Sequence, residues 1–136
     1  MQITTVIVDD SSVDRYIVRR TLARRDGFGE FIELETGTSF IEHMQNVGVR
    51  PPADPKSVLI LMDINMPGLS GFETAEALQE LIDAGDASKD ITVIMHSSSD
   101  NSADRTRAGA IPVVKGYILK PINDDDVGQL VQMYSS

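Results

Sequence analysis

The chain has 136 residues, which fits a single domain, 1–136, with a core built without covalent staples. It carries no cysteine, which excludes disulfides, zinc–thiolate centres and thiol nucleophiles. Its net charge of −9 argues against nucleic acid as a direct partner, because phosphate binding needs clustered Lys and Arg.

The first segment, "ITTVIV" from Ile3 to Val8, is rich in β-branched residues and predicts a strand. "DDSSVDRYIVRRTLARR" follows, with Val13, Ile17, Val18 and Leu22 at helical spacing and Ser11 or Ser12 as the cap. "EFIELE" predicts a short second strand. "TSFIEHMQNV" predicts a short helix with Phe40, Ile41, Met44 and Val47 on one face. "VRPPADPKS" reads as an exposed, proline-rich loop. "VLILM", Val58 to Met62, is a strand apolar at every position, and "GFETAEALQELIDAG" sets Phe72, Ala75, Leu78, Leu81 and Ile82 on one helical stripe. "ITVIM", Ile91 to Met95, reads as another apolar strand. "SDNSADRTRAGA" predicts a weak helix with few apolar anchors, and "KGYILKP" a short strand. "NDDDVGQLVQMY" closes the chain as a helix whose acids sit at its N-terminus, where the helix dipole favours them.

A β-α unit thus repeats five times. Strands that are apolar on both faces belong to parallel sheets covered by helices on both sides. Right-handed crossovers then give an α/β fold, a single doubly wound five-stranded parallel sheet with five helices. No apolar run approaches the roughly 18 residues needed to cross a bilayer. The start, "MQITTVIVDD", lacks the basic flank of a signal peptide, so a cytoplasmic setting without membrane insertion is expected.

In such a sheet, ligands gather beyond the carboxyl ends of the strands. Those ends carry Asp9 and Asp10, then Glu35 and Thr36, then Asp63, then His96, Ser97 and Ser98, and finally Lys120 before Pro121. Each has an ordinary explanation alone. Asp10 can cap the first helix, Asp63 can open a turn before Met66-Pro67, Ser97 can end a strand, and Lys120 can be a solvated surface cation. Together they place three carboxylates, a hydroxyl and an ammonium on one predicted edge. Two carboxylates ~4 Å apart repel by about 4 kcal/mol at an effective dielectric of 20, so a positive partner is required. Lys120 supplies one charge; an oxygen-ligated Mg²⁺ supplies two and commonly serves phosphate chemistry.

"VIVDDSS", "LILMDINMPGLSGFE", "VIMHSSS" and "GYILKPI", in this order and at these separations, resemble the receiver domain of bacterial two-component response regulators. The resemblance covers essentially the whole chain. It implies a flavodoxin-like sheet of order 2-1-3-4-5. It implies that Asp63 accepts a phosphoryl group from a sensor histidine kinase or histidine phosphotransfer protein, forming an aspartyl phosphate. It implies Mg²⁺ held by Asp10 and Asp63 directly, by Asp9 through a water, and by the backbone carbonyl of Asn65. Lys120 would pair with a phosphoryl oxygen and Ser97 would hydrogen-bond another. Tyr117 matches the aromatic switch position, so the state would be relayed to a downstream protein through the face of the fourth helix, fifth strand and fifth helix, a surface that also suits a homodimer. Such a protein is a switch rather than a turnover enzyme.

Some features depart from that pattern. The stretch "NVGVRPPADPKS" is long, "AIPVVKGY" places a proline just before the fifth strand, and His96 stands where an apolar residue is usual. His96 is either a tuner of the site near neutral pH or a packed or solvated spectator. Ser98 and Ser99 are small, which implies open access and a phosphorylated state that is not long-lived. No output domain follows Ser136, so the chain is a stand-alone receiver or lacks a C-terminal part. The rival readings are weaker. A phosphatase of the haloacid-dehalogenase type needs an acid where Asn65 stands. A degenerate binding module sits poorly with an intact residue set. A nucleotide-binding enzyme lacks its glycine-rich motif.

Overall fold

The computed structural model describes residues 3–46, 58–87 and 91–135. The elements alternate as β1 (Ile3–Val8), α1 (Ser12–Ala23), β2 (Phe28–Leu34), α2 (Gly37–Asn46), β3 (Val58–Met62), α3 (Gly71–Asp83), β4 (Thr92–Ser97), α4 (Ser102–Gly109), β5 (Val114–Leu119) and α5 (Asp124–Ser135). The five strands form one parallel sheet in the order β2-β1-β3-β4-β5, as expected of a doubly wound, flavodoxin-like fold.

The uniform apolarity of β3 has a direct cause. Ile60 and Met62 join Phe40, Met44, Phe72, Ala75 and Leu78 on the α2–α3 side of the sheet. Leu59 and Leu61 join Val18, Leu22, Val127 and Leu130 on the α1–α5 side. Both faces of the strand are covered, so no position tolerates a polar side chain. α3 begins with a reciprocal cap. Ser70 Oγ accepts from the Glu73 N–H at 3.1 Å, and Glu73 Oε1 accepts from the Ser70 N–H at 2.9 Å.

Two sequence expectations need correction, the start of β2 and the burial of Val13. β2 starts at Phe28 rather than Glu30, because Phe28 is buried and pairs with Ile3 despite the glycine that follows it. Ser11 is the cap of α1, its Oγ accepting from the Asp14 N–H at 3.2 Å. Val13 is 65% exposed, whereas Arg15 is buried on the inward stripe with Val18 and Leu22. The helical period admits Arg15 to that stripe because its guanidinium finds partners there. The weak fourth helix does form, capped by Asn101 Oδ1 on the Ala103 N–H at 2.7 Å, with Ala108 as its one buried residue. The proline-rich loop and Val47 lie outside the described residues, in which no helix is long and apolar enough to cross a membrane.

The parallel register brings the strand ends level. Val8 pairs with Leu34 and Met62, Met62 with Met95, and Ser97 with Leu119. Ladder hydrogen bonds run one residue further, into the edge itself. The Asp63 N–H donates to the Val8 carbonyl at 2.8 Å, the Asp9 N–H to Leu34 at 3.0 Å, and the Lys120 N–H to Ser97 at 2.8 Å. Each side chain at the edge therefore leaves from backbone held by the sheet.

Candidate functional site

Asp9, Asp10 and Asp63 each turn a carboxylate oxygen to one point, and these oxygens lie within 4.8 Å of one another. Asp9 and Asp63 are buried and Asp10 is exposed, so the cluster opens to solvent on one side. Asp9 Oδ1 accepts from the Ser11 N–H at 2.9 Å, which fixes one of its oxygens at the start of α1. After Asp63 the chain must turn sharply. Gly68 supplies a left-handed residue at φ +77°, and Gly71 brings α3 against the Asp63 backbone. Its N–H donates to the Ile64 carbonyl at 2.8 Å.

Lys120 reaches into this cluster from β5. Its Nζ lies 2.8 Å from Asp9 Oδ2, 2.8 Å from Asp14 Oδ2 and 3.3 Å from Asp63 Oδ1. Burial alone would lower its pKa. The hydrogen bonds to Asp14 and Asp9 and the charges of Asp63 and Asp9 outweigh that and hold it above the usual lysine range. The Asp63 carboxyl is pushed up to about 6, by burial first and by the Asp9 charge second, with Lys120 acting against both. One ammonium thus leaves the carboxylates short of positive charge, and a divalent cation bound by oxygen would supply the rest. Asp9, Asp10 and Asp63 are the residues that could hold it. Asn65 lies exposed two residues beyond Asp63 in the same loop.

The remaining predicted residues lie at the end of β4 and within β5. Ser97 is fully buried, and its Oγ accepts from the Ser99 N–H at 3.1 Å. The Tyr117 hydroxyl donates to the Ser99 carbonyl at 2.6 Å. The two side chains therefore grip the same residue, one at its N–H and one at its C=O. The Arg105 guanidinium lies over the Tyr117 ring, 4.5 Å from its centre. His96 is buried, and its Nε2 has no hydrogen-bond partner. Burial first and the Lys120 charge second push its pKa down to about 4, so it is neutral at physiological pH and does not titrate near neutrality.

Two residues that sequence reasoning passed over matter here. Asp14 joins Lys120, and Arg15 clamps the turn that carries the acidic pair. Arg15 Nη1 donates to the Asp9 carbonyl at 2.6 Å, while its Nε meets Glu33 at 3.2 Å and its Nη2 lies 3.7 Å from Glu35. The available signal was positional. Arg15 falls on the Val18–Leu22 stripe, and Asp14 stands one helical turn beyond Asp10.

The family model of the response regulator receiver domain matches residues 5–132. The chain belongs to this family. The receiver domain is 29% identical to the two-component response regulator ARR15 of Arabidopsis thaliana over 135 residues, covering 97% of this chain and 62% of that protein. It is 29% identical to the chemotaxis protein CheY1 of Helicobacter pylori over 119 residues, 85% of this chain and 83% of that one. The chain therefore spans about three-fifths of the plant relative's length. Plant and bacterial proteins both match, so the resemblance to bacterial regulators does not confine this receiver domain to bacteria. Among solved structures, a two-component response regulator from Cytophaga hutchinsonii superposes with a TM-score of 0.81 at 22% identity, covering 98% of both chains. A response regulator receiver protein from Dyadobacter fermentans gives 0.80 at 23%, covering 97% of both. These likenesses establish the fold.

Proposed function

We propose that this receiver domain is a phosphorylation switch that takes a phosphoryl group from a histidine kinase or histidine phosphotransfer protein onto Asp63. The observation that carries the reading is the meeting of the Lys120 ammonium with Asp9 and Asp63 at the sheet edge, beside an acid cluster short of positive charge. That donor set, all carboxylate oxygen, suits Mg²⁺, with the Asn65 carbonyl as a further ligand. When bound, Mg²⁺ supplies the positive charge that offsets the carboxylates and the phosphoryl oxygens.

An oxygen of Asp63 attacks phosphorus, and the bond from phosphorus to the donor's imidazole nitrogen breaks. Lys120 pairs with one phosphoryl oxygen, and catalysis is otherwise positioning. Ser97 turns its hydroxyl to another oxygen and so releases the Ser99 N–H. Because Tyr117 holds the Ser99 carbonyl, the loop and the ring move together. That remodels the α4–β5–α5 face, which a downstream protein or a second copy of the chain would read. α4 buries one residue, so displacing it costs little.

The test is intact-mass measurement after exposure to a small phosphodonor such as acetyl phosphate. The expected result is a single phosphoryl adduct that forms with Mg²⁺ and not in excess chelator. Uptake indifferent to the metal would overturn the reading. In the same time course, an adduct persisting for many hours would contradict the open access implied by Ser98 and Ser99.

A further inference from the structure

We propose that Asp14 is a positioning residue that draws the Lys120 ammonium away from the place a cation must occupy, and so sets the Mg²⁺ affinity of the site. The proposal rests on the reading of Asp9, Asp10 and Asp63 as the metal ligands. A lysine ammonium has three donors. Here they face three carboxylates, Asp9 and Asp14 at 2.8 Å and Asp63 at 3.3 Å. Two of these partners belong to the acid cluster, so without metal the ammonium occupies carboxylates that the metal needs. Asp14 is the partner outside that cluster.

A divalent cation entering the cluster competes with Lys120 for Asp9 and Asp63 and repels its charge at short range. The ammonium needs a second anion to retreat to, because a buried lysine without a partner is costly. Asp14 is placed for this. Its backbone is held by the Ser11 cap in the first turn of α1, and its side chain is one-third exposed while Lys120 is 15% exposed. The contact spans 106 residues of sequence, so it joins α1 to the end of β5 directly. With Asp14 present, Lys120 gives up the cluster carboxylates and keeps a hydrogen-bonded charge. Without it, Lys120 holds Asp9 and Asp63 as its only anions and resists the metal.

Calorimetric Mg²⁺ titration of four proteins tests this: the parent chain, Asp14→Asn, Lys120→Met and the double variant. Asp14→Asn is expected to weaken Mg²⁺ by about tenfold, the scale of one hydrogen bond to a charged group. In the Lys120→Met background the same substitution is expected to change affinity by less than about twofold, because Asp14 acts through the lysine. Equal weakening in both backgrounds is what loss of one negative charge alone produces, and it would overturn the proposal, as would no weakening in either. If the parent chain takes up no Mg²⁺, the reading of the acid cluster fails and the proposal with it. Asp14→Ser repeats the cycle if the asparagine variant does not fold.

Discussion

Asparagine at position 63 is expected to abolish the phosphoryl adduct and, at the same time, to stabilise the metal-free protein at neutral pH. The first effect follows from loss of the oxygen proposed to attack phosphorus. The second follows from the raised pKa of Asp63. Its value of about 6 exceeds the ordinary 3.8, so the folded chain binds the proton more tightly than the unfolded one. The contribution of Asp63 to metal-free stability is therefore greatest below about pH 4 and is lost as the pH rises through 6. Asparagine keeps an acceptor for Lys120 and removes the titration. The expected gain at about pH 7.5 is about 1–2 kcal/mol after allowance for solvent screening, or roughly 5 °C in Tm. Thermal melts at about pH 4 and pH 7.5 check the sign, with the difference vanishing at the lower pH. A variant less stable than the parent at pH 7.5 would mean that Lys120 already compensates the cluster.

The second large effect is expected at Gly71. A Cβ there would overlap the Asp63 carbonyl oxygen and stand 2.8 Å from the Ile64 Cα. Both obstacles are backbone, so no side chain can turn aside. Gly71→Val must push α3 away or drag the Asp63 strand end with it. The cost is about 2–3 kcal/mol by the measure of overpacked cores. If Asp63 is the proposed phosphoryl acceptor, displacing it by about 1 Å would slow phosphoryl uptake by about 100-fold. Denaturant unfolding and the rate of adduct formation measure the two effects. Gly109→Ala is the control. Nothing lies within 4 Å of a Cβ at that position, so alanine there should leave stability unchanged or raise it slightly. Parity between the two variants would show that α3 does not seat Asp63.

Much of this arrangement is legible along the chain because period and composition report burial on both sides of a strand. Val58 to Met62 is apolar at every position, and that pattern alone requires helices on both faces of β3. Once the strands are parallel, Asp9, Asp63 and Lys120 must fall on the same edge, since each directly follows a strand. Residues with two plausible roles were harder to read. Val13 fits the apolar period of α1 and yet faces solvent, while Arg15 looks like a surface charge and is buried. Hydropathy cannot predict that exchange, because the Arg15 partners are the Asp9 carbonyl and the edge-strand acids Glu33 and Glu35. His96 was likewise open to two readings. Its depressed pKa comes from burial and the Lys120 charge, which depend on how β4 and β5 pack.

By itself the order of residues determined the alternation of strands and helices, the parallel sheet, and the strand-end positions of Asp9, Asp63, Ser97 and Lys120. Local periodicity and turn chemistry act over a few residues, and a single chain displays them. Only the tertiary structure decided that Lys120 divides its donors among Asp9, Asp14 and Asp63, that Arg15 pins the acidic turn, and that Ser97 and Tyr117 hold one residue between them. The Lys120 and Tyr117 contacts join separate elements of the chain, and the Arg15 and Ser97 contacts depend on which way a side chain turns once those elements pack. Their energies depend on distance and burial, which exist only once the sheet has set its register.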